Sequence, residues 1–174
     1  MENKSNISLI GFWATGKTTI GKELARKLNM DFVDIDQIIE NKSKMSIFEM
    51  FEKLGEEKFR EMEIKEMDKI QTMKNTVIAC GAGVVLNNIN MKNLKQNSVV
   101  IWLDANSKEI AERIKKDKNF RILRPKELTL DRIDEFLGVR NSLYKKYCDF
   151  KIDTFGKSIS QNINEILENL KIKF

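Results

Sequence analysis

The residues most able to do chemistry lie near the start of the chain. Gly11-Phe12-Trp13-Ala14-Thr15-Gly16-Lys17-Thr18 satisfies the spacing G-x-x-x-x-G-K-[ST]. It follows an apolar run, Ile7–Ile10, and opens a helical pattern, which is the context this motif needs to hold nucleotide phosphates. Its glycines let successive backbone N–H groups converge, and the helix start adds the positive end of a dipole. Lys17 would then set a full charge near the β and γ phosphates, and the Thr18 hydroxyl suits Mg²⁺. Strand, loop and helix together argue for nucleotide binding, but they name a superfamily and not a reaction.

Phosphoryl transfer needs positioning and charge stabilisation more than covalent chemistry. Asp34 and Asp36 close a second apolar run, Phe32–Ile35, at the strand edge where open α/β sheets bind ligands. On a strand, i, i+2 spacing points both the same way. One could order a metal's water shell while the other takes a proton from an acceptor hydroxyl. A strand-to-helix cap is an equal alternative, and Asp36 alone would suit it. Only seven of the 31 basic residues are arginines, so their places are informative. Arg60, Arg121, Arg124 and Arg140 stand where a planar fork could grip a carboxylate or phosphate by two bonds. Arg26, Arg113 and Arg132 read as ordinary surface residues. Cys80-Gly81-Ala82-Gly83 follows a buried run, and its closely spaced glycines suggest a ligand against backbone amides. Cys80 itself reads as a small core residue and not a nucleophile.

The rest of the composition narrows the field. There is no histidine, which removes Ser-His triads, imidazole bases and histidine-ligated metals, and two cysteines cannot build a zinc site. The formal charge is +5, yet lysines are spread along the chain and interleaved with glutamates, as on solvated helical faces. No aromatic-and-basic platform for nucleic acid stands out. No apolar stretch is long enough to span a bilayer and no leader is visible, so a reduced, cytoplasmic domain is expected. At 174 residues one domain, residues 1–174, is expected.

Short apolar runs alternate with helical patterns, the signature of a parallel α/β sheet. The strands are Ile7–Ile10, Phe32–Ile35, Val77–Ala79, Val99–Leu103 and Phe150–Asp153. Helices are predicted from about Lys17 to Leu28, from a capping box at Ser46–Glu49 to Gly55, and from Glu56 to about Met73. Others run from a cap at Asn106 to near Lys116, over Asp131–Tyr147 and over Ser158–Leu170. Between Asp117 and Leu128 the chain is basic, irregular and holds the single proline, Pro125.

Taken in order, these pieces resemble shikimate kinase over nearly the whole chain. GFWATGKTT resembles its nucleotide loop, Asp34-Ile35-Asp36 its D-x-D, and Gly55-Glu56-Glu57-Lys58-Phe59-Arg60 its G-E-x-x-F-R segment. Gly81-Ala82-Gly83 is similar to its triple-glycine turn, Trp102-Leu103 to the strand before its lid, and Arg140-Asn141-Ser142-Leu143-Tyr144 to its R-x-x-L-Y helix. The resemblance implies a three-layer α/β/α fold with a parallel five-stranded sheet, of the P-loop nucleoside-monophosphate-kinase type. It implies a substrate-binding region near residues 33–62 and a lid near 117–128. The implied reaction moves the γ-phosphate of ATP to the 3-hydroxyl of shikimate in aromatic amino-acid biosynthesis.

Carried over by residue, ATP falls to Ala14, Thr15, Gly16, Lys17, Thr18, Thr19 and Arg121, with Thr18 on Mg²⁺ and Asp34 reaching the metal through water. Lys17, Asp36 and Arg121 would be catalytic. Asp36, Arg60, Gly81, Ala82 and Arg140 would bind the acceptor. Two departures stand out: Ala82 replaces the middle glycine, and the lid pattern is split between Arg121 and Arg124, of which Arg121 better fits the distance to Arg140. Other readings are a kinase of another small anion such as gluconate, or an inactive nucleotide-binding homologue. No nucleic acid or membrane partner is expected, and monomer is the default.

Overall fold

Five strands, β1 (Asn6–Ile10), β2 (Asp31–Asp34), β3 (Thr76–Ala79), β4 (Ser98–Asp104) and β5 (Phe150–Asp153), pair in parallel in the order β2-β3-β1-β4-β5. The computed structural model describes residues 4–117 and 128–173. Among these residues seven α-helices connect or follow the strands: α1 (Lys17–Leu28), α2 (Ile35–Ser43), α3 (Ile47–Lys69), α4 (Asn88–Asn97), α5 (Ser107–Lys116), α6 (Leu130–Tyr147) and α7 (Ile159–Lys173). The three-layer α/β/α expectation is met.

Pleating decides which layer each strand residue serves. Leu9, Val77, Val99 and Ile101 pack with Ile20 and Leu24 of α1 and Ile163 and Ile166 of α7. Ile10, Ile78, Val100 and Trp102 face the other way, against Ile39, Met50, Met67, Met91 and Tyr144. With both faces covered, β1 and β3 are buried along their whole length, so Val77–Ala79 of β3 reads as an unbroken apolar run, while β1 buries the polar Asn6 and Ser8 among its apolar residues. A smaller cluster of Phe12, Ile110, Ile114, Ile133 and Leu137 joins the loop after β1 to α5 and α6. From β1 the chain first builds the β3-β2 side and later the β4-β5 side. The carboxyl end of β1 is therefore the switch point, where this class of sheet leaves a crevice.

Several boundaries follow local chemistry. Ser46 and Glu49 form the reciprocal capping box that opens α3. Gly55 interrupts that helix with φ 82°, a left-handed value that glycine adopts without a Cβ clash. Two expectations needed correction. The strand predicted to reach Ile35 ends at Asp34, whose carboxylate accepts from the Gln37 N–H and starts α2. Helix α4 was not predicted. Asn87 caps it by accepting from the Ile89 and Asn90 N–H groups. Among the described residues no helix is long and apolar enough to cross a membrane.

Candidate active site

The phosphate loop sits at the switch point. Helices α2 to α6 each begin with a capping side chain: Asp34, Ser46, Asn87, Asn106 and Thr129. Helix α1 instead enters through Gly16 at φ 94°, with no capping side chain and no acid in its first turn. Its leading N–H groups are thus left for an anion. Lys17 Nζ folds back to donate to the carbonyls of Gly11 at 3.0 Å and Phe12 at 2.6 Å. Burial pulls its pKa down to about 8, against the opposing pull of Asp36 and Asp34. Thr15 is buried and donates to Phe12 O at 2.9 Å, so its hydroxyl shapes the loop. Ala14, Gly16, Lys17, Thr18 and Thr19 line a cavity of about 240 Å³ together with Asp34, Asp36 and Cys80.

Both acids reach that cavity, by a route other than the one expected. They are not two residues of one strand: Asp34 ends β2 and caps α2, and Asp36 lies in the first turn of α2. The cap is Asp34, not Asp36. Its Oδ2 also accepts from the Thr18 hydroxyl at 2.6 Å, tying the acid to the start of α1. A hydroxyl and a carboxylate beside a phosphate cradle are hard oxygen donors, which suits a divalent cation that keeps most of its waters. Asp36 Oδ1 is buried with no hydrogen-bond partner among the described residues. Burial first, then the charges of Asp34 and Glu63, push the Asp36 pKa up to about 7.

The acceptor side opens next to it. Asp36, Arg60, Arg140, Gly81, Ala82 and Gly83 line a narrow cleft of about 30 Å³, with Trp13 contributing to its wall and to that of the phosphate cavity. Arg60 Nη1 donates to Glu63 at 2.9 Å, and its Nη2 reaches the exposed Glu56 at 3.1 Å. The Arg140 guanidinium stands over Phe12, Trp13 and Phe136 at 5.4, 5.6 and 5.1 Å from their ring centres. The rings orient the fork by cation–π attraction. Its Nη1 is buried without a hydrogen-bond partner among the described residues.

A Cβ on either glycine of the turn would press on the side chains of the site. A Cβ on Gly83 would lie 2.4 Å from the Arg60 guanidinium, and one on Gly81 would lie 2.7 Å from Asp36 Oδ1 and 2.9 Å from Glu63 Oε1. Ala82, standing where the resemblance puts a glycine, has no positive φ to strain its methyl: the non-glycine residues with positive φ among those described are Ala14, Asn29, Lys44 and Asn75.

Sequence reasoning missed two members of this neighbourhood. Glu63 is buried, and burial raises its pKa against the pull of Arg60. The signal was present: an acid stands inside the apolar stripe Phe59, Met67, Ile70. Arg113, expected to be an ordinary surface residue, donates to Ala14 O at 3.2 Å, Thr154 O at 3.0 Å and Thr154 Oγ1 at 3.1 Å. It fastens the phosphate loop to the segment after β5. Arg121 and Arg124 lie outside the described residues. Cys80 is buried, and burial drives its thiol pKa upward, so it stays protonated as a core residue would.

Known proteins can now be set beside this geometry. A family model described as shikimate kinase matches residues 13–171. A shikimate kinase of Thermodesulfovibrio yellowstonii is 45% identical over 94% of this chain and 93% of its own. One from Caldanaerobacter subterraneus is 42% identical over 93% and 94%. The shikimate kinase from Acinetobacter baumannii in complex with shikimate superposes with a TM-score of 0.91 at 31% identity, covering 99% of this chain and 97% of that one. A gluconokinase from Sinorhizobium meliloti, 14% identical with a TM-score of 0.62, shares the fold alone. Likeness of this extent, over almost the full length and on both sequence and structure, places the chain in the shikimate kinase family.

Proposed function

We propose that this chain transfers the γ-phosphoryl group of ATP to the 3-hydroxyl of shikimate, giving shikimate 3-phosphate. One observation carries the reading. Two arginine forks and a buried, unpartnered carboxylate oxygen converge on a cleft that shares the Trp13 wall with the phosphate cavity. An acceptor with one carboxylate and a ring hydroxyl matches those groups in number and sign. A sugar acid would share the carboxylate, but sequence identity reaches 45% with a shikimate kinase and only 14% with the gluconokinase, whose likeness is one of fold.

The roles follow from the geometry. The N–H groups opening α1 and the residues Ala14 to Thr19 hold the ATP phosphates. Lys17 turns from its carbonyl partners to the transferred group, where a buried cation is worth more than in water. Asp36 accepts the proton of the attacking hydroxyl. Arg140 and Arg60 grip the acceptor carboxylate, which displaces exposed Glu56 while buried Glu63 keeps its hold on Arg60. The amides of Gly81 and Ala82 complete the pocket. Thr18 and, through water, Asp34 would hold Mg²⁺, which when bound neutralises phosphate charge. Arg121 is assigned to the lid over ATP. Residues 33–62 form the acceptor side of a single domain, acting in the cytoplasm as a monomer.

Arg60→Lys and Arg140→Lys test the assignment, because an ammonium keeps the charge and loses the second bond. Each is expected to raise the KM for shikimate at least about tenfold and to leave the KM for ATP within about twofold. Equal rises in both constants would contradict the roles.

A further inference from the structure

Tyr144 lies one helical turn beyond Arg140 on α6 and is fully buried. Its ring stacks on Trp102 with centroids 5.7 Å apart and an interplanar angle of 27°. Its hydroxyl donates to Ala82 O at 2.6 Å, and the Arg140 guanidinium interacts with the same phenol. The carbonyls of Gly81 and Gly83 are taken up by the Val84 and Leu86 N–H groups in the following turn. The Ala82 carbonyl is turned instead to Tyr144.

A trans peptide holds C=O and N–H on opposite sides of one plane. Fixing Ala82 O therefore fixes the direction of the Gly83 N–H, away from Tyr144. It also sets the height of a turn on which a Cβ at Gly81 would run into Asp36 and Glu63, and one at Gly83 into Arg60. We propose that Tyr144 is a positioning residue for the acceptor: its hydroxyl locks the Gly81–Gly83 turn in register with Arg140, so that the amides and the guanidinium meet one substrate together. This rests on the reading of that turn as part of the acceptor pocket.

Tyr144→Phe keeps the ring and its stack and removes only the hydroxyl. The KM and Kd for shikimate are expected to rise about tenfold, with the KM for ATP within about twofold of wild type. Combined with Arg140→Lys, the loss is expected to be smaller than the product of the single losses, since both act on one register. A lowered Tm with unchanged shikimate constants would show a purely structural bond and overturn the proposal, as would an equal rise in both KM values. Arg60→Ala serves as the control. If it too leaves shikimate binding unchanged, the pocket assignment has failed and the proposal falls with it. Should Tyr144→Phe not fold, Trp102→Phe, which loosens the stack, is expected to raise the shikimate KM about threefold with ATP unaffected, and an unchanged value there overturns the proposal.

Discussion

In the proposed mechanism the chemistry turns on Asp36, whose surroundings hold it in the wrong state for a base at low pH. Burial and the charges of Asp34 and Glu63 favour the protonated acid, while Lys17 opposes them. In the free enzyme kcat/KM for shikimate should therefore fall as pH drops through about 7, where Asp36 takes up its proton. It should fall again above about 8, where Lys17 loses its charge. Glu63→Gln is expected to move the acid limb to lower pH, whatever it does to the maximum; a limb that stays in place would break the link between the two acids. The same burial has a stability consequence. An acid whose folded pKa lies above its ordinary value of 3.8 supports the fold below that pH and withdraws support as pH rises through about 7. Asp36→Asn should thus raise Tm over wild type at pH 8 and leave it unchanged near pH 4, while lowering turnover about 1000-fold. A Tm gain of the same size at both pH values would mean that charge burial is not its source.

At the level of elements, what could be read from the sequence was what obeys local rules. The Ser46–Glu49 box, the stop at Gly55, the Asn106 cap and the buried strands each depend on residues within a few positions of one another. Helix α4 escaped because its sequence, NINMKNLKQN, is rich in asparagine and offers only Met91 and Leu94 as a buried apolar pair; Asn90 and Asn93 are buried beside them. Asp34 and Asp36 were expected to share one strand face; they line the phosphate cavity from the end of β2 and the first turn of α2 instead, since the strand ends at Asp34 and the helix begins at Ile35. Arg113 pairs with Glu109 at i, i+4 as a surface residue would, but its bonds to Ala14 O and to Thr154 O and Oγ1 join positions 99 and 41 residues away, and no spacing encodes those. Through those bonds it sets the phosphate loop against the segment after β5. Arg113→Ala is accordingly expected to raise the KM for ATP about tenfold while shikimate affinity holds, as titration of each ligand alone would show. An unchanged ATP constant would leave Arg113 with a packing role only.

Across the whole molecule, the parallel order β2-β3-β1-β4-β5 brings together groups that are far apart in the chain. The loop after β1, the acids at the start of α2, the turn after β3 and the inward face of α6 all meet at one end of the sheet. A fold of this kind serves more than one acceptor, as the distant gluconokinase shows by sharing it at 14% identity. The proposed reading assigns acceptor choice to Asp36, Arg60, Arg140 and the Gly81–Gly83 turn, and the most direct test varies the acceptor itself. In a coupled ADP-release assay with Mg-ATP, shikimate, quinate, gluconate and no acceptor would be compared. Rapid ADP release with shikimate, and little with gluconate or with ATP alone, is the result expected here. Equal release with gluconate, or no acceptor-dependent release from protein that binds ATP, would contradict it.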